Sequence, residues 1–323
     1  MTPGETESAR PEAVVRRIDA LDIARGVALI AMAIYHFTWD LENFGYVDHG
    51  LTAQGGWKLF ARCIASSFLF LVGVSLVLAH ARGIRWRSFW RRWLGVALGA
   101  AAITLVTFYV TPQGFVFFGI LHEIALASLL GLAFLGLPFP VTALVALAVI
   151  ALPQFVTSDL LDPKALAWIG MAAKPPVSND FVPLFPWFGA VLLGIAAAQA
   201  GRRFGAFDRL RLWNQRLGRA APLAWLGRHS LLFYLLHQPL LFGLVAATAQ
   251  VYPPDPARIL QSDCRRGCMA ERQDAAFCSR YCSCISDRLV GADLLERLLA
   301  QTTTETENAA IGDMVLACSA PRP

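Results

Sequence analysis

Apolar residues dominate the chain in long runs, each closed by a short cluster of arginines, prolines or glycines. Crossing the hydrocarbon of a bilayer takes about 20 mainly apolar residues. On that pattern seven helices are predicted, at approximately 19–38, 59–80, 93–110, 115–136, 138–156, 181–200 and 229–251. Pro138, Pro140 and Pro153 crowd the ends of the fifth. Pro183 and Pro186 make the first turn of the sixth irregular, which requires cover from protein rather than lipid. No internal repeat at solenoid or transporter spacing accompanies these runs. After VYPPDP at 251–256 the composition turns polar. The expected organisation is an N-terminal tail over 1–15, a transmembrane domain over 16–251 and a cysteine-rich tail over 252–323. The expected fold is all-α, a polytopic membrane bundle of about seven helices with a small disulfide-stapled helical hairpin at the C-terminus.

Composition agrees with that pattern. Of 323 residues, 56% are apolar and 16% charged, against about 25% charged in soluble domains. The net charge of +5 needs no nucleic-acid partner, because its arginines flank the apolar runs. Fifteen arginines fall in the flanks at 10–17, 82–92 and 202–228, against three lysines in 39–58, 111–114 and 157–180. The positive-inside rule then places the N-terminus in the cytoplasm and, with seven spans, the tail outside. An inner (plasma) membrane is the expected location. The first helix has no small-residue cleavage motif behind it and reads as a retained anchor.

The stretch RRIDALDIARGVALIAMAIYH at 16–36 carries polar groups into an apolar helix. At 100° per residue, Asp22, Arg25, His36 and Asp40 share one face, with Leu29 and Met32 between them. Asp19 stands about 60° aside. Charges at membrane depth cost about 2.5–3.5 kcal/mol on insertion scales, so they face the protein interior and usually serve function. The structural alternative for Asp22 and Arg25 is an i, i+3 ion pair near the interface. Toward the outer side the sequence places His36, His49, His122, Glu123 and Asp180, while His237 lies mid-membrane with Tyr234 on its face and Pro239 beside it. His80 and His229 read as interfacial.

Six of the seven cysteines lie in the tail. CRRGCMAERQDAAFCSRYC holds two C-x3-C pairs, each on one helix face. Two such helices folded back on each other would set Cys268 against Cys278 and Cys264 against Cys282, leaving Cys284 to close on Cys318. Asp274 is the expected N-cap of the second arm. Disulfides persist outside the cytosol, in keeping with the orientation. Zinc is the rival reading, but the spacing is unlike a zinc ribbon and no histidine is near, so no metal is expected. Cys63, within the second run, is expected to be a buried, inert thiol.

The first-helix motif resembles the R-x-x-x-L-D-x-x-R-G-x-A opening of membrane acyltransferases. Together with FGILHEIALASLL, FVPLFPWFGAVLLGIA and LGRHSLLFYLLHQPLLFGL, it is similar to bacterial members of the heparan-alpha-glucosaminide N-acetyltransferase catalytic-domain family, over roughly residues 14–250. The tail resembles an extension found in some of those members. The resemblance implies acetyl-CoA bound from the cytosol and acetyl delivered to an amino sugar or glycan on the far side. In the lysosomal enzyme a histidine of the first luminal loop is regarded as catalytic, and His49 stands nearest that position. His36 stands where that enzyme has an asparagine.

On this reading the catalytic candidates are His36, His49, His122 and Glu123. A histidine would act as general base on the acceptor or carry acetyl as an acyl-imidazole. Arg25, Arg91, Arg92 and Arg228 are the candidates for the coenzyme phosphates, with Asp22 holding Arg25. Asp40, Asp180, Tyr234 and His237 complete the polar path. The expected partners are the lipid bilayer, the acyl-CoA donor and the glycan acceptor; a homo-oligomer is compatible with the sequence. The competing classes are a small-molecule or proton-coupled transporter, opposed by the absent repeat, and a non-enzymatic scaffold whose hairpin binds an outer partner.

Overall fold

The computed structural model of the chain describes residues 18–213 and 220–320. The expected N-terminal tail at 1–15 and Arg10, Arg16, Arg17, Arg216 and Arg219 of the flanks lie outside the described residues. Fourteen α-helices occur among the described residues. They are α1 Asp19–Asn43, α2 Gly55–Ala79, α3 Trp86–Val110, α4 Ile120–Gly131, α5 Phe139–Ala151, α6 Lys164–Ala167 and α7 Leu184–Arg203. There follow α8 Ala206–Trp213, α9 Ala221–Arg228, α10 Ser230–Val251, α11 Pro256–Arg272, α12 Ala275–Gly291, α13 Leu295–Leu299 and α14 Glu305–Ser319. Extended pairing is limited to isolated bridges among the described residues.

Five helices, α1, α2, α3, α7 and α10, are long and apolar enough to cross a bilayer. The fourth and fifth predicted spans are shorter apolar segments, Ile120–Phe134 and Phe139–Gln154. At 1.5 Å per residue each rises about 22–24 Å, less than the roughly 30 Å hydrocarbon thickness. The fourth is shortened because Phe118 bridges to Phe181 and Gly119 is extended, so the helix begins only at Ile120. Pro138 caps the start of the fifth and Pro153 ends it in a 3-10 turn. In the sixth span Phe185 has non-helical angles ahead of Pro186, the irregular first turn the prolines predicted.

The chain forms two compact units that do not follow chain order. Among the described residues, the first comprises those up to Leu29 and those within Ala65–Phe233; the second comprises Ile30–Ile64 and those from Tyr234 onward. The division falls inside α1, α2 and α10.

In the first unit Thr142 and Ala146 of α5 and Val191, Leu192 and Ile195 of α7 are fully buried. Small residues set the helix spacing. A Cβ on Gly227 of α9 would sit 1.8 Å from the Asp22 carbonyl oxygen of α1, and one on Gly26 would sit 2.2 Å from that of Leu223. The two backbones therefore touch, and this contact seats the start of α1. At the head of α3, Trp86, Phe89, Trp90 and Trp93 form a chain of neighbouring rings among Arg85, Arg87, Arg91 and Arg92. Aromatic rings with snorkelling cations are what a membrane–water boundary selects.

In the second unit, α11 and α12 form the hairpin, joined by Cys264–Cys282 and Cys268–Cys278, with Cys284–Cys318 tethering α14. Asp274 caps α12 by accepting from the Phe277 N–H. Ile285, Leu289, Leu294 and Leu295 make the hairpin's own small core, packed against Leu260, Ile311 and Met314. Cys63 corrects its expectation: it lies exposed on α2 rather than buried. A thiol behaves as a small apolar group, and a lipid-facing helix surface accepts it.

Candidate functional site

Helix α1 buries the face its sequence pattern predicts. Asp22, Leu29, Met32 and Asp40 are buried, whereas Val27, Ile30, Ile34 and Phe37 on other faces are exposed. In a membrane helix the exposed side meets lipid, so the polar groups point into protein.

The first unit holds the inner end of this face. The Arg25 guanidinium donates to Asp22 Oδ1 at 2.6 Å and also to the hydroxyl of Ser75 on α2. The i, i+3 ion pair is thus formed, with Ser75 as a third member. Asp19 faces Arg228 of α9 at 3.9 Å. Arg91 and Arg92 are exposed near the start of α3. Of the four arginines considered for phosphate, two have carboxylate partners and two project outward.

The same unit holds His122 and Glu123. His122 was expected about two turns inside its helix; it lies instead in the first turn of α4, because the helix starts five residues later than predicted. Its Nδ1 accepts from the Gly119 N–H at 3.2 Å, and its Nε2 meets the Thr104 hydroxyl at 3.2 Å. Asp180 accepts the Ile120 N–H at 3.0 Å and so satisfies one of the orphan donors of the α4 N-terminus. Glu123 is fully buried, and neither carboxylate oxygen meets a hydrogen-bond partner among the described residues.

The second unit contains two imidazole arrangements. His36 Nδ1 and His237 Nε2 are 2.9 Å apart, with ring centroids at 4.9 Å and the ring planes inclined by 24°. His237 Nδ1 lies 2.7 Å from the carbonyl oxygen of Tyr234. A carbonyl only accepts, so His237 Nδ1 carries the proton. With both rings neutral, His237 Nε2 then accepts from His36 Nδ1–H, which leaves the His36 lone pair on Nε2. Tyr234 contributes its carbonyl to this chain. One turn along α1, Asp40 accepts from Gln238 Nε2 at 2.7 Å, while its buried Oδ2 meets no hydrogen-bond partner among the described residues.

His49 is held differently. Glu42 accepts from the Gly50 N–H at 2.6 Å, the Thr52 N–H at 2.8 Å and the Thr52 hydroxyl at 2.7 Å, which orders the loop around it. Gly50 has φ +83°, a left-handed angle that suits glycine. His49 Nδ1 faces both oxygens of Asp263 on α11, at 2.9 and 3.0 Å.

The structure thus pairs His36 with His237 and Asp40 with Gln238, and ties His49 to the cysteine hairpin. Ser75, Thr104, Gln238 and Asp263 were not singled out from sequence. Gln238 had a signal, since it adjoins His237 on a helix facing a buried carboxylate. Asp263 had none, because no local pattern relates a loop to a residue 214 positions away.

These features define an all-helical integral membrane protein whose spans carry buried carboxylates and hydrogen-bonded imidazoles. Residues 17–239 match the family described as heparan-alpha-glucosaminide N-acetyltransferase, catalytic, and the chain belongs to that family. Membrane acetyl transfer is the activity this membership implies. No curated protein and no solved structure matches the chain. Among the described residues no cluster of three or more histidine, cysteine, aspartate or glutamate side chains could hold a metal ion.

Proposed function

We propose that this protein moves acetyl from cytosolic acetyl-CoA to the amine of an amino sugar or glycan on the extracytoplasmic side of a plasma membrane. The observation that carries the reading is the family match, which runs over every span bearing the polar residues up to Pro239. The arginine asymmetry and the disulfides of the tail support the orientation, with the N-terminus inside and the hairpin outside.

Arg91 and Arg92, exposed beside the Trp86 and Trp90 rings, are suited to the coenzyme phosphates, with Arg228 at the same inner rim. Arg25, already engaged by Asp22 and Ser75, positions rather than binds. The acceptor amine, having lost its ammonium proton to solvent, attacks the thioester carbonyl. A C–N bond forms, the C–S bond breaks, and the amine's excess proton passes to His49 Nε2. The departing thiolate then takes that proton and leaves as CoA thiol. A positioned base of this kind contributes about 10²–10⁴-fold.

The test is turnover of labelled acetyl-CoA by purified protein against glucosamine and envelope sugars. Label in the amide, lost in His49→Ala with folding retained, supports the reading. Saturable flux of a solute without coenzyme would favour a transporter instead.

A further inference from the structure

The first arm of the cysteine hairpin reaches the loop that carries His49. Both carboxylate oxygens of Asp263 stand within 3.0 Å of His49 Nδ1. A carboxylate is acceptor-only, so Nδ1 is the protonated nitrogen, and the lone pair is placed on Nε2. No described residue hydrogen-bonds Nε2, and the His49 side chain is 31% exposed. It borders a shallow hollow with Asp48, Arg258, Ile259 and Ser262.

Asp263 is itself fixed. Arg266 donates to its Oδ1 at 3.0 Å, and the next residue, Cys264, is bonded to Cys282 on the opposite arm. Across the loop, the Glu42 clamp holds the backbone on either side of Leu51. The imidazole is thus gripped from its own loop and from the tail.

We propose that Asp263 is the positioning residue for His49, so that the disulfide-stapled tail supplies a working part of the acetyl-transfer site. The proposal rests on the reading of His49 as the base. Partners that orient metal-bound histidines are worth about 10–100-fold when removed, and a carboxylate on Nδ1 fixes tautomer and ring orientation here by the same hydrogen bond. An amide in place of the carboxylate can present N–H to the ring and select the opposite tautomer.

The experiment uses full-length protein in detergent, with labelled acetyl-CoA and glucosamine, and compares His49→Ala, Asp263→Asn, Asp263→Glu and the His49→Ala/Asp263→Asn double variant. Asp263→Asn is expected to lower kcat about 10–100-fold with the KM for acetyl-CoA unchanged. Asp263→Glu should recover most of the loss, and the double variant should be no worse than His49→Ala. A second readout is independent of the acceptor: nitrogen NMR of histidine-labelled protein should show His49 protonated on Nδ1 in wild type and Asp263→Glu, and not in Asp263→Asn. Wild-type kcat in Asp263→Asn beside an inactive His49→Ala would overturn the positioning role and leave the base intact. Full activity in His49→Ala would remove the base and the proposal together. An unchanged His49 tautomer in Asp263→Asn, or loss of the Cys264–Cys282 bond in that variant, would also overturn the proposal.

Discussion

His36 and His237, 201 residues apart in the chain, share a 2.9 Å hydrogen bond, their ring planes inclined by only 24°. The Tyr234 carbonyl at the far nitrogen of His237 gives the pair a direction. Each ring hands its neighbour a defined tautomer, and the lone pair is delivered to His36 Nε2. Replacing His237 with Phe keeps a ring there and removes that instruction. His237→Phe is expected to lower acetyl transfer about 10–100-fold while His36 stays in place. Labelled acetyl transfer checks this, with the thermal midpoint showing that the bundle persists.

Buried Asp40 and half-buried Gln238 make a polar couple beside that pair. Gln238→Leu would leave the carboxylate without the one donor the structure gives it, a loss worth about 1–3 kcal/mol. The expected outcome is a lowered unfolding midpoint in detergent. Asp40→Leu/Gln238→Leu should recover part of it, because removing both partners costs less than stranding one. A midpoint equal to wild type in Gln238→Leu would contradict the pairing.

Gly227 admits no side chain, since its Cβ would stand 1.8 Å from the Asp22 carbonyl oxygen. Gly227→Ala should force α1 and α9 apart at a cost of about 1–3 kcal/mol. It should also disturb the Asp22–Arg25 pair carried by the same turn. Gly243→Ala, where nothing lies within 4 Å, is the control and should be neutral or slightly stabilising. The thermal midpoints of the two variants decide it.

The tail should respond to acid at α14. Thr304 and Glu307 form its capping box, and the Thr304 N–H donates to Glu307 Oε2 at 2.8 Å. That bond, with the Thr304 hydroxyl and Arg297, holds the Glu307 carboxyl below its ordinary value of 4.5. A depressed carboxyl contributes stability that is present above the ordinary value and lost as pH falls through the folded one. Amide exchange in α14 should therefore quicken below about pH 4.5 and be nearly pH-independent, once corrected for intrinsic rates, in Glu307→Gln. Equal protection of wild-type α14 at pH 7 and pH 3 would contradict it.

The legible parts of the protein are those written in local periodicity. The five long spans follow from apolar run length. The buried face of α1 follows from 3.6-residue spacing, which aligns Asp22, Leu29, Met32 and Asp40. The stapled hairpin follows from cysteines placed one turn apart on two arms joined by a short link. The family was legible too, because its blocks lie on these same helices. Less legible was the start of α4, where a bridge between Phe118 and Phe181 stops the helix short and brings His122 to its first turn.

By itself, then, the sequence determined that the chain is helical, belongs in a membrane, and turns certain carboxylates and imidazoles away from lipid. Only the tertiary structure decided which of them meet. His36 with His237, Asp40 with Gln238, and His49 with Asp263 join positions about 200 residues apart. Helical spacing says which way a side chain points; it carries no information about the helix it points at. That choice is made by packing, through contacts such as Gly227 against Asp22 and staples such as Cys264 to Cys282, which fix the distances on which hydrogen bonds depend.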